Sequence, residues 1–324
     1  MRHALFAAGL VFLIGAGRQS SDPLSRAGEI RMADVQGRID HLTIDAEWRR
    51  LFVAALGNDT VEVLDLRSGS VLQSLRGFHE PQGIGQPLDG HLVGVANGGS
   101  GDLVLLDRAA LRVLKTVALG SDADNVRFDT AARRFYVGYG SGAIAAITED
   151  GRRAGNVQLP DHPESFQLES GGSRLFVNVP GARAIVVVDR QTMQVQGRWP
   201  LTGAAANYPM ALDEAAHRLF VGCRRPAAVL EFDTTTGTQV GVVPTVGDTD
   251  DMFYDAARQR LYVIGGEGFV DVFARRGGAL ERLARVPTAA GARTGLFVPA
   301  EDRLYVAAPR RGNATASVLI YSVR

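Results

Sequence analysis

Two short acidic segments carry the residues best suited to chemistry: Asp122-Ala123-Asp124-Asn125, within DADNVRFD, and Asp248-Thr249-Asp250-Asp251, within DTDDMFYD. Both read D-x-D-[N/D]. Carboxylates and amides converging at this spacing can bind a hard cation, Ca2+ or Mg2+, through oxygen, which makes Asp124, Asn125, Asp250 and Asp251 the candidate metal ligands. Neither segment is an EF-hand loop, because the glycine and the terminal glutamate are missing. The same residues could cap turns through backbone N–H groups, line a hydrated channel, or bind an organic ligand without metal. The sequence leaves these readings open.

His41 follows Asp40, and a carboxylate that orients an imidazole makes a candidate general base; a hydrogen-bonded structural imidazole is the competing reading. Arginines gather at Arg183, Arg224-Arg225, Arg293 and Arg310-Arg311, a sector suited to a carboxylate, phosphate or anionic glycan or, equally, to solvated loop charge. Cys223 is the single cysteine, so no internal disulfide or thiolate cluster can form. Gly98-Gly99-Ser100-Gly101 lacks the lysine and the helix of a phosphate loop, and neither G-x-S-x-G nor H-E-x-x-H occurs.

The elements that must position these residues are set by a repeat of about 42 residues. Its marker is an Arg-apolar-aromatic-Val string: RLFVA at Arg50, RFYVG at Arg134, RLFVN at Arg174, RLFVG at Arg218, RLYVI at Arg260 and RLYVA at Arg303, with a degenerate HLVGV at His91. Leu51, Leu92, Phe135, Leu175, Leu219, Leu261 and Leu304 recur at steps of 40 to 44 residues. Each unit reads as four short strands, with β-branched and aromatic runs separated by Gly, Asn and Asp turns. Seven such units predict an all-β, seven-bladed β-propeller with four-stranded blades. The last unit supplies three strands, so the segment Glu29–Val35 is expected to complete it and close the ring, removing open sheet edges.

Aligning the units on their markers puts Leu42, Ile84, Val126, Phe166, Met210, Met252 and Gly295 in register at the first strand. The preceding residues form a ring: His41, Gly83, Asn125, Ser165, Pro209, Asp251 and Thr294. The ring before it is Asp40, Gln82, Asp124, Glu164, Tyr208, Asp250 and Arg293. A third layer, four residues before the register position, holds Arg38, Glu80, Asp122, His162, Ala206, Asp248 and Gly291. First strands begin at the mouth of a propeller's central channel. The expected ligand-binding set there is Asp40, His41, Gln82, Asp124, Asn125, Glu164, Ser165, Tyr208, Asp250, Asp251, Arg293 and Thr294. An acidic mouth beside a basic rim favours a zwitterionic or peptide-like ligand.

Arg2 and His3 precede an apolar stretch, Ala4–Ala16, too short to span a bilayer easily, and a polar segment to Arg26. Residues 1–26 therefore read as a signal peptide with a short leader and residues 27–324 as one propeller domain, periplasmic or secreted. Net charge is zero, from 35 basic and 35 acidic residues, which argues against nucleic acid as a partner. The mature chain is expected to be a monomer without a membrane span.

LFVAALGNDTVEVLDL, FYVGYGSGAIAAIT and LYVIGGEGFVDVF resemble the YVTN repeat of YncE-like bacterial β-propellers. The likeness covers roughly residues 29–324 and implies a seven-bladed, usually exported protein without implying a reaction. The chain departs from the Tyr-Val-Thr-Asn string, ending its markers in pairs such as Ala54-Ala55 or Gly222-Cys223. The expected function is a module that binds a small molecule, protein or peptide at the top of the channel. The alternative is a divalent-metal-dependent hydrolase, lactonase-like, using the mouth carboxylates with His41 as base.

Overall fold

The computed structural model describes residues 22–87 and 90–324. The expected signal sequence falls largely on residues 1–21, outside the described residues. Seven antiparallel four-stranded sheets form a ring of blades. Blade one runs, from the inside outward, through Leu42–Asp45, Arg50–Ala55, Thr60–Asp65 and Ser70–Arg76, and blades two to six repeat this order. Blade seven takes Thr294–Val298, Arg303–Ala308 and Ser317–Val323 from the C-terminal end and Leu24–Arg31 from the N-terminal end.

The repeat marker is the second strand of every blade, and its composition follows from what lies on each side. Successive side chains point to opposite faces of a strand. Leu51 and Val53 therefore pack into the core shared with blade seven, while Phe52 and Ala54 pack into the core shared with blade two. A strand buried on both faces reads as a continuous apolar run. Among the described residues there are seven buried apolar clusters, one at each interface between neighbouring blades. A fully buried Phe or Val at such an interface contributes about 1.5–3 kcal/mol relative to exposure, so the ring is held by its interfaces and not by a central core.

The register is the one expected. Leu42, Ile84, Val126, Phe166, Met210, Met252 and Gly295 each pair with the marker valine of the next strand: Val53, Val95, Val137, Val177, Val221, Val263 and Val306. Blade seven has glycine here because an added Cβ would stand 2.3 Å from the Tyr305 carbonyl oxygen.

The closing strand, Leu24–Arg31, overlaps the expected Glu29–Val35 at residues 29–31 but begins upstream of it, inside the stretch assigned to the leader. It pairs antiparallel with the last strand from Leu24↔Val323 to Arg31↔Ser317, with a bulge between Arg26 and Gly28. Leu24 and Ile30 are its buried anchors. Met32 and Val35 are also buried, but they lie in the turn that leads into blade one. Core-facing residues beyond the strand explain why the apolar pattern places it too far along the chain.

Candidate functional site

The three aligned rings descend into the channel. In the deepest, His41, Asn125, Ser165, Asp251 and Thr294 are buried; Gly83 sits so close to blade three that an added Cβ would come 2.0 Å from the Asp124 carbonyl oxygen. The middle ring is buried or half-buried; in the third layer Arg38, Glu80 and Asp122 are exposed, His162, Asp248 and Gly291 half-buried, and Ala206 buried. Local backbone bonding fixes these levels. Asp40, Asp124 and Glu164 donate their N–H groups to Ala54, Gly138 and Asn178 of their own second strands, at 2.8, 2.9 and 2.9 Å. In the third layer Glu80, Asp122, Ala206, Asp248 and Gly291 all have positive φ, so a left-handed turn places the chain just before it drops into the channel. Asp tolerates that conformation, which is one reason both D-x-D segments begin with it.

A cavity of about 270 Å3 opens at the mouth. Ten of the twelve expected ligand-binding residues line it: Asp40, His41, Gln82, Asp124, Asn125, Glu164, Ser165, Tyr208, Asp250 and Arg293. Asp251 and Thr294 do not. Asp251 lies below, where its Oδ2 accepts from the Gly295 N–H at 2.8 Å and faces His41 Nδ1 at 3.3 Å. Thr294 Oγ1 donates to the Ile39 carbonyl at 3.4 Å.

Four further residues reach the cavity: Arg38, Asp122, His162 and Arg224. The first three belong to the third aligned layer, and their long or turn-directed side chains bring them down to the mouth. Arg224 extends from the second strand of blade five, with its guanidinium 3.8 Å from the centroid of the Tyr208 ring. Arg127, one residue past the register position of blade three, was not indicated by the ring alignment. It is half-buried, and its charge is disfavoured by desolvation, with Asp251 and Asp124 opposing that effect. An arginine inside a first strand is the signal that could have found it. Arg183, Arg225, Arg310 and Arg311 do not line this cavity; Arg310 donates to the Val35 carbonyl at 3.3 Å and to that of Ala33.

Electrostatics divide the mouth into sectors. Asp250 is held between Arg224 Nη2 at 2.6 Å and Arg293 Nε at 2.9 Å. Burial nonetheless pushes its carboxyl up to about 7, against the pull of Arg224 and Arg293. His41 stands between Asp251 and Asp40, whose Oδ1 is 3.7 Å from Nε2. Burial opposes its charge, but Asp251, Asp40 and Asp124 outweigh burial and lift the imidazolium to about 10. A protonated imidazole has no lone pair to accept a proton, so of the two readings of His41 this geometry suits the hydrogen-bonded structural imidazole, as a cationic bridge between carboxylates, rather than the candidate general base. In blades three and four, Asp122, Asp124 and Glu164 surround one imidazole, His162. Burial, with Asp124 and Asp250, raises the Glu164 carboxyl to about 8.

The expected metal set is not brought together as a set of free donors: Asp250 is engaged by two arginines, and Asp251 by His41 and Gly295. The described carboxylate and imidazole groups whose donor atoms all lie within 4.8 Å of one another are Asp124, His162 and Glu164.

No family model and no curated protein sequence matches this chain. Solved structures do. A chain of "Crystal Structure of Mitotic Checkpoint Complex" aligns over 100% of this chain and 99% of its own, at 16% identity and TM-score 0.74. A chain of "Kuenenia stuttgartiensis Hydrazine Synthase" aligns over 86% and 96%, at 17% and 0.74. "Structure of U3-55K" aligns over 93% and 98%, at 11% and 0.79. At such identities the likeness establishes the fold alone: this chain is a seven-bladed β-propeller.

Proposed function

We propose that this protein is a binding module that takes a small, highly polar ligand bearing charges of both signs in the mouth of its channel. The observation that carries the reading is the cavity itself: every residue that lines it is polar or charged, and carboxylates and guanidiniums face it from different blades. Its volume, about 270 Å3, is just below the range of about 300–1,000 Å3 for sites that take drug-sized ligands. That supports a ligand of amino-acid or dipeptide size. The sequence likeness to YncE-like propellers and the positive-then-apolar N-terminus support an exported protein, and N-terminal sequencing of the secreted form is the check on that part. Among the described residues no helix is long and apolar enough to cross a membrane.

The test is a thermal-shift panel of amino acids, dipeptides, simple carboxylates, amines and neutral sugars against the full chain. A ligand at a hundred times its Kd adds about 2.7 kcal/mol of stability, a readily measured shift. Zwitterions are expected to stabilise most, and Arg293→Ala and Tyr208→Phe to reduce the shift. Equal shifts in wild type and Arg293→Ala would remove Arg293 from the site; no response to any charged compound would sink the reading. The alternative, a metal-dependent hydrolase, requires a held cation, and Asp124, His162 and Glu164 are the groups that would hold it.

A further inference from the structure

We propose that Asp124, His162 and Glu164 form a binding site for one divalent transition-metal ion, Zn2+ or a chemically similar cation, on the blade three–four side of the channel mouth. The inference rests on this geometry alone and does not require the organic ligand proposed above.

The donors converge from two lead-in segments, Asp124 before the first strand of blade three and His162 and Glu164 before that of blade four. The state of His162 is the most informative feature. Its Nδ1 lies 2.6 Å from the Gly140 carbonyl oxygen, which can only accept, so Nδ1 carries the hydrogen. Asp122 Oδ2, at 3.5 Å, faces the same nitrogen. A carbonyl or carboxylate that fixes one ring nitrogen as donor is the usual outer support of a metal-ligating histidine, because it orients the ring and presents the other nitrogen. That other nitrogen, Nε2, points toward Asp124 Oδ2 at 3.8 Å, too far for a hydrogen bond. Two donors on one Zn2+ with bonds of about 2.0–2.2 Å stand about 3.4 Å apart in tetrahedral geometry, so the His162–Asp124 pair needs a closure of a few tenths of an ångström, and the Glu164 carboxylate, within 4.8 Å of both, closes onto them.

A second observation concerns Asn125, the neighbour of Asp124. Asn125, 2% exposed, borders the cavity, and its side-chain Oδ1 has no hydrogen-bond partner. Its Nδ2 is used on Asp124 Oδ1 at 3.4 Å, which leaves the buried amide oxygen as the orphan. A buried acceptor without a donor is costly, and the hydrogen bond from the same amide to Asp124 ties this orphan to the carboxylate that would ligate the ion. The mixed imidazole–carboxylate donor set selects for ions of the Zn2+ type over Ca2+ or Mg2+, which take oxygen ligands. Three protein ligands would also leave the remaining coordination position open to the cavity.

The test is direct titration of the untagged full chain, without organic ligand, with Zn2+ by calorimetry and with Co2+ by its visible absorption. One equivalent is expected to bind, with a cobalt spectrum showing nitrogen–oxygen ligation. His162→Gln and Glu164→Gln are each expected to weaken binding about tenfold or more, whereas His217→Gln, in a distant hairpin turn, leaves it unchanged. Failure of the wild-type chain to bind either ion stoichiometrically overturns the site whatever the variants do. So does unchanged affinity in whichever of the two glutamine variants folds. A zwitterion that still stabilises a metal-blind chain would separate this outcome from the fate of the ligand reading.

Discussion

His41 stands at the floor of the channel between Asp40 and Asp251, and a positive charge there offsets the mutual repulsion of carboxylates that burial strengthens. The sign of its pH effect follows. The folded-state value, about 10, lies above the ordinary 6.5, so the folded protein binds the extra proton more tightly. The stability this contributes is fully present below about pH 6.5 and is lost as pH rises toward 10. Melting temperatures measured between pH 6 and 10 are expected to fall across that window. His41→Gln leaves Asp40 and Asp251 buried without their cation, and removal of one partner from a buried ion pair costs roughly 3–5 kcal/mol. The variant should therefore melt well below wild type at pH 7 and lose that part of the pH slope. A wild-type profile flat from pH 6.5 to 10, or a variant as stable as wild type, would refute the assignment of charge to His41.

At the scale of elements, the lead-in to each first strand decides which side chains meet. The marker strings located all seven second strands, and the alignment built on them placed ten residues at the cavity, because a register fixed by hairpin pairing is a local property that sequence spacing reports. What spacing does not report is reach. Arg38 and Asp122 align in a layer above the mouth, and Arg224 in a rim loop; they enter the cavity through side-chain length and turn direction, whereas His162, placed just before an inner strand, is legible as a mouth residue. Nor does spacing show partners: Asp250 and Asp251 look like free carboxylates until Arg224, Arg293 and His41 are seen against them. The closing strand was misplaced because Met32 and Val35 are apolar for reasons of turn packing. Close approach between elements is itself testable. Gly295→Ala places a methyl group against the Tyr305 carbonyl, and overpacking of this kind costs about 1–3 kcal/mol. Chemical denaturation should show that loss with an unchanged m-value; an unaltered midpoint would mean the two strands of blade seven can separate freely.

At the scale of the whole molecule, stability depends on closure. Two of the seven apolar interfaces, those on either side of blade seven, draw Ile30 and Leu24 from its outer strand, which comes from the other end of the chain. Deleting Leu24–Arg31 exposes the paired edge of Ser317–Val323 and uncovers Leu319 and Tyr321, an invitation to pairing between copies. The truncated protein is expected to oligomerise or to melt markedly lower by light scattering and calorimetry; a monomer with the wild-type melting temperature would show that the ring does not need its latch. The same closure has a consequence for biosynthesis. Blades one to six each join strands made consecutively, so each can form as it emerges from the ribosome. Leu24 must instead wait for Val323, a delay of roughly 15–60 s at ordinary rates of synthesis. Through that interval Leu24 lacks the blade seven residues it packs against, so the nascent protein remains an open arc that cellular machinery can still thread, hold or degrade, and becomes a ring only once the strand Ser317–Val323 has been made.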